Sequence, residues 1–138
     1  MITMIKKANK LPLDIKVLKS HLRIEHEYED EYLRILIEAA TDVLEKAIGM
    51  SILKKKYRYK GPSVETLPIQ PIIKVCSNKN EEIIYEAGIT DDESEVPIDL
   101  KYAILQIAKS MYECNDEDVL KSHYIKHVIN NYKQISII

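Results

Sequence analysis

"LKSHLRIEHEYEDEYLRILIEAATDVLEKAIG", residues 18–49, decides the fold, because two helix-like stretches flank a burst of five acidic residues between Glu25 and Glu31. In the second stretch Leu33, Leu36, Ile37, Ala40, Val43, Leu44, Ala47 and Ile48 recur at spacings of three, four and seven. That period lays one apolar stripe along an α-helix. Gly49 supplies a natural stop, since glycine accepts the left-handed conformation that closes a helix. On the outer face Arg34 and Glu38, and Asp42 and Lys46, stand four apart. Such pairs contribute only about 0.3 kcal/mol each, so the stripe must find a packing partner. Upstream, Asp14 is placed to cap a first helix running from Ile15 to about His21 and ending near Arg23. Leu13 before the cap and Leu18 in the first turn suit a hydrophobic staple. The helices are predicted at 14–23 and 28–48.

Downstream the pattern changes. Gly61, Pro62, Pro68, Pro71 and Gly88 interrupt any helix between Ser51 and Thr90, and β-branched residues cluster there. "YRY" around Arg58, "PIIKVCS" at 71–77 and "EIIYEAG" at 82–88 read as short strands. "VPIDLKYAILQIAKSMYE" then opens a third helix, predicted at 97–113, with Pro97 in the first turn where its missing N–H is harmless. Its buried stripe is Leu100, Ala103, Ile104, Ile107, Ala108 and Met111. A fourth helix is predicted at 117–131, followed by "KQISII", whose Ile135 and Ile137 alternate as in a strand. The expected fold is mainly α. It is a bundle-like domain of about four helices, with a short β-hairpin or extended arm at 51–90 inserted in the middle. One domain spans 1–138.

Composition narrows the function. The 138 residues are 46% apolar and 30% charged, ordinary for a globular chain. No apolar run approaches the roughly 20 residues that cross a bilayer, which predicts a soluble protein with no membrane partner. "MITMIKKANK" has lysines without a long apolar core after them, so it does not read as a signal peptide. Two cysteines far apart, Cys76 and Cys114, suggest reduced thiols in a cytoplasmic compartment. The net charge of −2 conceals segregation into blocks. Residues 1–24 carry six Lys or Arg against one Asp, "KKKYRYK" at 54–60 carries five bases, and "DDESE" at 91–95 carries four acids. Solvated loops and helix ends would show such blocks. So would complementary patches on copies that pack head to tail.

Catalytic signatures are missing from the pattern. Three glycines form no phosphate-cradling loop, and no nucleophile-elbow, zinc-protease or paired-cysteine motif occurs. His123 and His127 are four apart on a predicted helix, with Asp116 and Asp118 loosely nearby, but no third and fourth ligand is evident. Two exposed histidines explain the spacing better than a metal site. The expectation is therefore no enzyme, no cofactor and no metal. Nine tyrosines with no Phe or Trp suit half-buried positions at an assembly interface, with Tyr102 and Tyr112 bordering the core. A small nucleic-acid-binding packaging or regulatory protein is the alternative, using the basic N-terminus and "KKKYRYK". No basic recognition helix supports it.

Collinear segments resemble a family. "DIKVLKSHLRIEHEYEDEYLRILIEAATDVLEKAIG" is similar to the front of tailed-phage head-tail connector proteins, also called adaptors or head-completion proteins and including prophage-encoded packaging proteins. Lys19, His21, Leu22, Arg23 and Ile24 match the family's "L-x-x-x-K-x-H-L-R-I" helix, and Leu36, Ile37, Ala39 and Ala40 its "L-I-x-A-A" helix. "LPIQPIIKVCS" and "YEAGITDDESEVPIDLKYAILQIAKSMYE" follow in the family's order, and "INNYKQI" resembles its closing segment. The resemblance covers about residues 13–133. Departures are a short link between the two strands and "CNDED" where the family's Asn-Arg-Glu follows Tyr112 and Glu113.

The resemblance implies a structural virion protein that docks under the portal after DNA packaging and completes the head. It implies a ring of about twelve copies around a channel, offered to a tail-side completion protein. The protein would be in the host cytoplasm during assembly and then at the head–tail junction. In such a ring Lys54, Lys55, Lys56 and Arg58 are candidates for a channel-lining loop that meets packaged DNA non-specifically through phosphates. A solvent-exposed hairpin, or contact with an acidic neighbour, would use the same residues. Lys19, Arg23, Glu27, Glu29, Asp30 and Glu31 are candidates for the subunit interface.

Overall fold

Eight elements organise the chain in the computed structural model, which describes residues 2–8, 10–61, 67–114 and 119–137, with side chains as far as Lys133. They are β1 (Ile2–Lys6), α1 (Ile15–Leu22), α2 (Asp30–Ile48), β2 (Lys55–Lys60), β3 (Ile72–Lys79), β4 (Glu82–Ala87), α3 (Ile98–Tyr112) and α4 (His123–Ile137). Short 3-10 turns at Glu93–Glu95 and Val119–Lys121 precede the last two helices.

The local chemistry explains the helix ends. The Asp14 side chain accepts a hydrogen bond from the Lys16 N–H at 2.9 Å, while Leu13 and Leu18 are both buried. Arg23 closes α1 in the left-handed region at φ 60°, with the Ile24 N–H reaching the Lys19 carbonyl at 2.9 Å. Gly49 closes α2 at φ 72°. Leu33, Ile37, Leu44, Leu100, Ile104 and Ile125 are fully buried in one helical core. Each such side chain contributes about 2 kcal/mol by leaving water.

The fold is mixed α/β, which corrects the expectation of a mainly α bundle carrying a hairpin or arm. The four strands form one antiparallel sheet in the order β1-β2-β4-β3. β1, from the N-terminus, pairs Ile2 with Tyr59 and Met4 with Tyr57. A five-residue strand whose partner lies more than fifty positions away has no local signature, so its pairing with β2 decides its state. The segment after "NNY" is likewise not a strand. α4 runs to Ile137, because Ile125, Val128, Ile129 and Tyr132 set a helical stripe on the core and no Gly or Pro breaks it. Its predicted start at Glu117 lies outside the described residues; the described helix begins at His123.

The sheet has two unlike faces. On the inner face Tyr57, Ile83, Tyr85 and Ala87 join Leu67 in a second, smaller cluster. Burial pushes the Tyr85 phenol up to about 12 and raises that of Tyr57. The Tyr132 phenol is also raised, first by burial and then by its hydrogen bond to Asp99 Oδ1 at 2.9 Å. The folded chain thus keeps protons that the unfolded chain releases near pH 10. Stability from these groups is intact below about pH 10 and is lost as pH climbs towards 12. Denaturant titrations across that window should show falling unfolding free energy, and Tyr85→Phe should flatten the slope.

Gly88 lies where a side chain has no room. A Cβ there would stand 2.6 Å from both the Cα and N of Lys54. Gly88→Ala should therefore force the two backbones apart and cost about 1–3 kcal/mol, read as a lower denaturation midpoint.

Candidate assembly surface

Glu45, in the last turn of α2, joins helices to sheet. Its Oε2 accepts from the Ile52 N–H at 2.7 Å, and the Lys55 ammonium donates to both carboxylate oxygens at 2.5 and 2.6 Å. The Ser51 hydroxyl, fully buried, donates to the Leu53 carbonyl at 2.7 Å. Beside it the Ser51 N–H reaches the Gln70 carbonyl at 2.8 Å, and the Lys54 N–H reaches that of Thr90 at 3.0 Å. The stretch after α2 is thereby tied to both ends of the β3–β4 hairpin. It sets the direction in which the sheet leaves the helices.

The basic run lies in and beside β2, a central strand, rather than in a loop. Lys55 points inward to Glu45 and is 13% exposed. Lys54 pairs with Glu86 at 3.7 Å and Arg58 with Glu82 at 2.9 Å. Lys56 lies on the open face of the sheet, in register with Glu86 and Lys74. Of the four candidate DNA-facing residues, three are thus in ion pairs within the chain. The same register brings Lys6, Lys60 and Lys79 to that face, which spacing along the sequence could not indicate.

The acidic stretch forms the α1–α2 corner. Lys19 and Asp30, both proposed for an interface, pair with each other at 2.8 Å across it. Glu29 accepts from the Tyr112 hydroxyl at 2.8 Å and stands 3.6 Å from His26. That hydrogen bond to a carboxylate raises the Tyr112 phenol above its ordinary value. Glu31 pairs with Arg34 at 3.6 Å, whereas Arg23 and Glu27 are exposed. Half of the six candidates therefore serve this chain's own corner by holding α1 and α3 against α2. Sequence reasoning missed Tyr28, which is 93% exposed and stacks on His26, and its neighbours Tyr32 and Ile35, also exposed.

An apolar groove of about 570 Å³ lies between β1 with residues 7, 8 and 10–12 and α2, with Glu38, Asp42 and Lys46 among its lining. His123 and His127 are exposed, and no cluster of three His, Cys, Asp or Glu side chains suited to a metal occurs among the described residues. Asp116 and Asp118 lie outside those residues, as does most of "CNDED". No helix is long and apolar enough to cross a membrane among the described residues.

A four-helix scaffold with a basic sheet at one end and an acidic, aromatic corner at the other defines a structural assembly module. The chain belongs to the phage gp6-like head-tail connector protein family, which it matches over residues 13–137. It is a structural adaptor protein of the virion. No curated protein matches it. Among solved structures it is similar to a chain from the "Neck of empty GTA particle computed with C6 symmetry", GTA being a gene transfer agent. There the TM-score is 0.77 at 17% identity, covering 96% of this chain and 95% of that one. Chains from the "Virion of native gene transfer agent (GTA) particle" and the "Neck of native GTA particle computed with C12 symmetry" give TM-scores of 0.75 and 0.74 at 17% and 16% identity. Each match covers 96% of this chain, and 95% and 94% of the other.

Glu45→Ala should leave the Lys55 ammonium and the Ile52 N–H without their acceptor in a largely enclosed site. The expected loss is about 3 kcal/mol of unfolding free energy. Calorimetry or denaturant titration measures it.

Proposed function

We propose that this chain is the repeating subunit of a ring of about twelve copies, docking beneath the portal once DNA is packaged and completing the head for the tail-side protein. The observation that carries this reading is the family match across residues 13–137 on a fold like that of neck chains from a particle computed with twelvefold symmetry. Its work is structural rather than catalytic. Assembly takes place in the host cytoplasm and ends at the head–tail junction, around a channel through which DNA passes. The whole chain, from β1 to α4, acts as one domain in this reading. Lys54, Lys55, Lys56 and Arg58 would contribute to a positive channel wall, with Lys56 the most available because the other three are paired.

Negative-stain electron microscopy of the purified protein over a concentration series, with and without portal rings, tests the proposal. Closed rings with a central hole are expected, alone or stacked on the portal. Monomers under both conditions would overturn it. A direct DNA-binding role draws on the positive charge of β2; steeply salt-dependent binding of duplex DNA by the monomer would favour that reading.

A further inference from the structure

The open face of the sheet carries more cations than carboxylates. Lys6, Lys56, Glu86 and Lys74 form one row, Thr3, Arg58, Ile84 and Ser77 the next, and Lys60, Glu82 and Lys79 the third. That is six cations against two carboxylates, and every residue of the face is exposed or half-buried. Glu86 and Glu82 already hold Lys54 and Arg58. Half-buried Ile84 gives the middle row an apolar spot.

The complement sits at the other end of the molecule. Glu25 and Glu27 are exposed at the α1–α2 corner, beside Tyr28, Tyr32 and Ile35. α2 separates the two regions: its 19 residues extend about 28 Å at 1.5 Å per residue. Across that distance, several times the Debye length of about 8 Å, one patch cannot neutralise the other within a chain. Two copies can bring them together. An aromatic centre with a charged rim is the usual anatomy of a protein interface. Because the patches differ, the contact repeats from copy to copy and closes into a ring if the rotation permits.

We propose that the open face of the β1-β2-β4-β3 sheet receives the acidic α1–α2 corner of a second copy of this chain, with Glu25 and Glu27 against Lys56, Lys74 and Lys79 and Tyr28 seated near Ile84. This deepens the ring reading and rests on it. Carbodiimide coupling of the full chain, in an equal mixture of light and isotopically heavy protein, tests it by joining carboxylate to ammonium wherever the two touch. Mixed-isotope peptides linking Glu25 or Glu27 to Lys56, Lys74 or Lys79 are expected. The assembled fraction, read by sedimentation, should fall about tenfold in E25K/E27K and return when that variant is mixed with K56E/K74E, since each variant then offers the charge the other needs. K56S/K74S, a milder change, guards against misfolding and should also lower the assembled fraction. Rings whose links map elsewhere would overturn the inference and leave the ring reading standing. The expected links in open chains without rings would uphold the contact and overturn closure. If K56S/K74S assembles normally but loses affinity for duplex DNA, the face belongs to nucleic acid and the inference falls.

Discussion

The Glu45 carboxylate is the joint on which the architecture turns. It stands at the C-terminal end of α2, where the helix dipole disfavours negative charge. It is held there by the Lys55 ammonium and the Ile52 N–H, with Lys55 entering β2 and Ile52 lying in the link just after the helix. One side chain thus anchors the helical core to the first residue of a central strand. With both partners largely enclosed, the charges are screened little by water and the geometry is firmly defined. Gly88 supports the same joint from the other side by letting the end of β4 approach Lys54 as closely as backbone atoms allow.

From that joint the sheet acquires its two characters. The inner face turns Tyr57, Ile83 and Tyr85 towards Leu67 and leaves water. The alternate residues turn outward with their lysines, and bulges in β1 and β3 loosen the two edges. Bulges and lysines are the devices by which exposed edges avoid indiscriminate pairing. Such protection suits an adaptor protein, because strand-to-strand contacts of the wrong register would compete with its assembly contacts.

The helical half shows a related economy. Charges that look in the sequence like an interface in waiting are partly used within the chain itself. Lys19 and Asp30 fix the turn between α1 and α2, and Glu29 captures Tyr112 from α3. What remains on the outside is a rim of acid around exposed tyrosines. The corner is braced by its own ion pair and hydrogen bond on the inner side and chemically open on the outer side, a sensible division for a virion adaptor protein.

The sequence by itself determined the helices that carry strong local signals: Asp14 as the cap of α1, the stripe from Leu33 to Ile48, Gly49 as the stop of α2, and the apolar face of α3. It also placed three strands and, through collinear motifs, the family. These features are local, set by hydrogen bonds and periodicity within a few residues. The tertiary structure alone decided the fold class, because β1 exists only through its pairing with β2 and the four strands form one sheet only once that pairing is made. It alone decided that α4 continues through the apolar tail, and which charges meet. Lys55 and Glu45, Tyr112 and Glu29, and the rows of lysine on the open sheet face come from distant positions, and only packing and register bring them together.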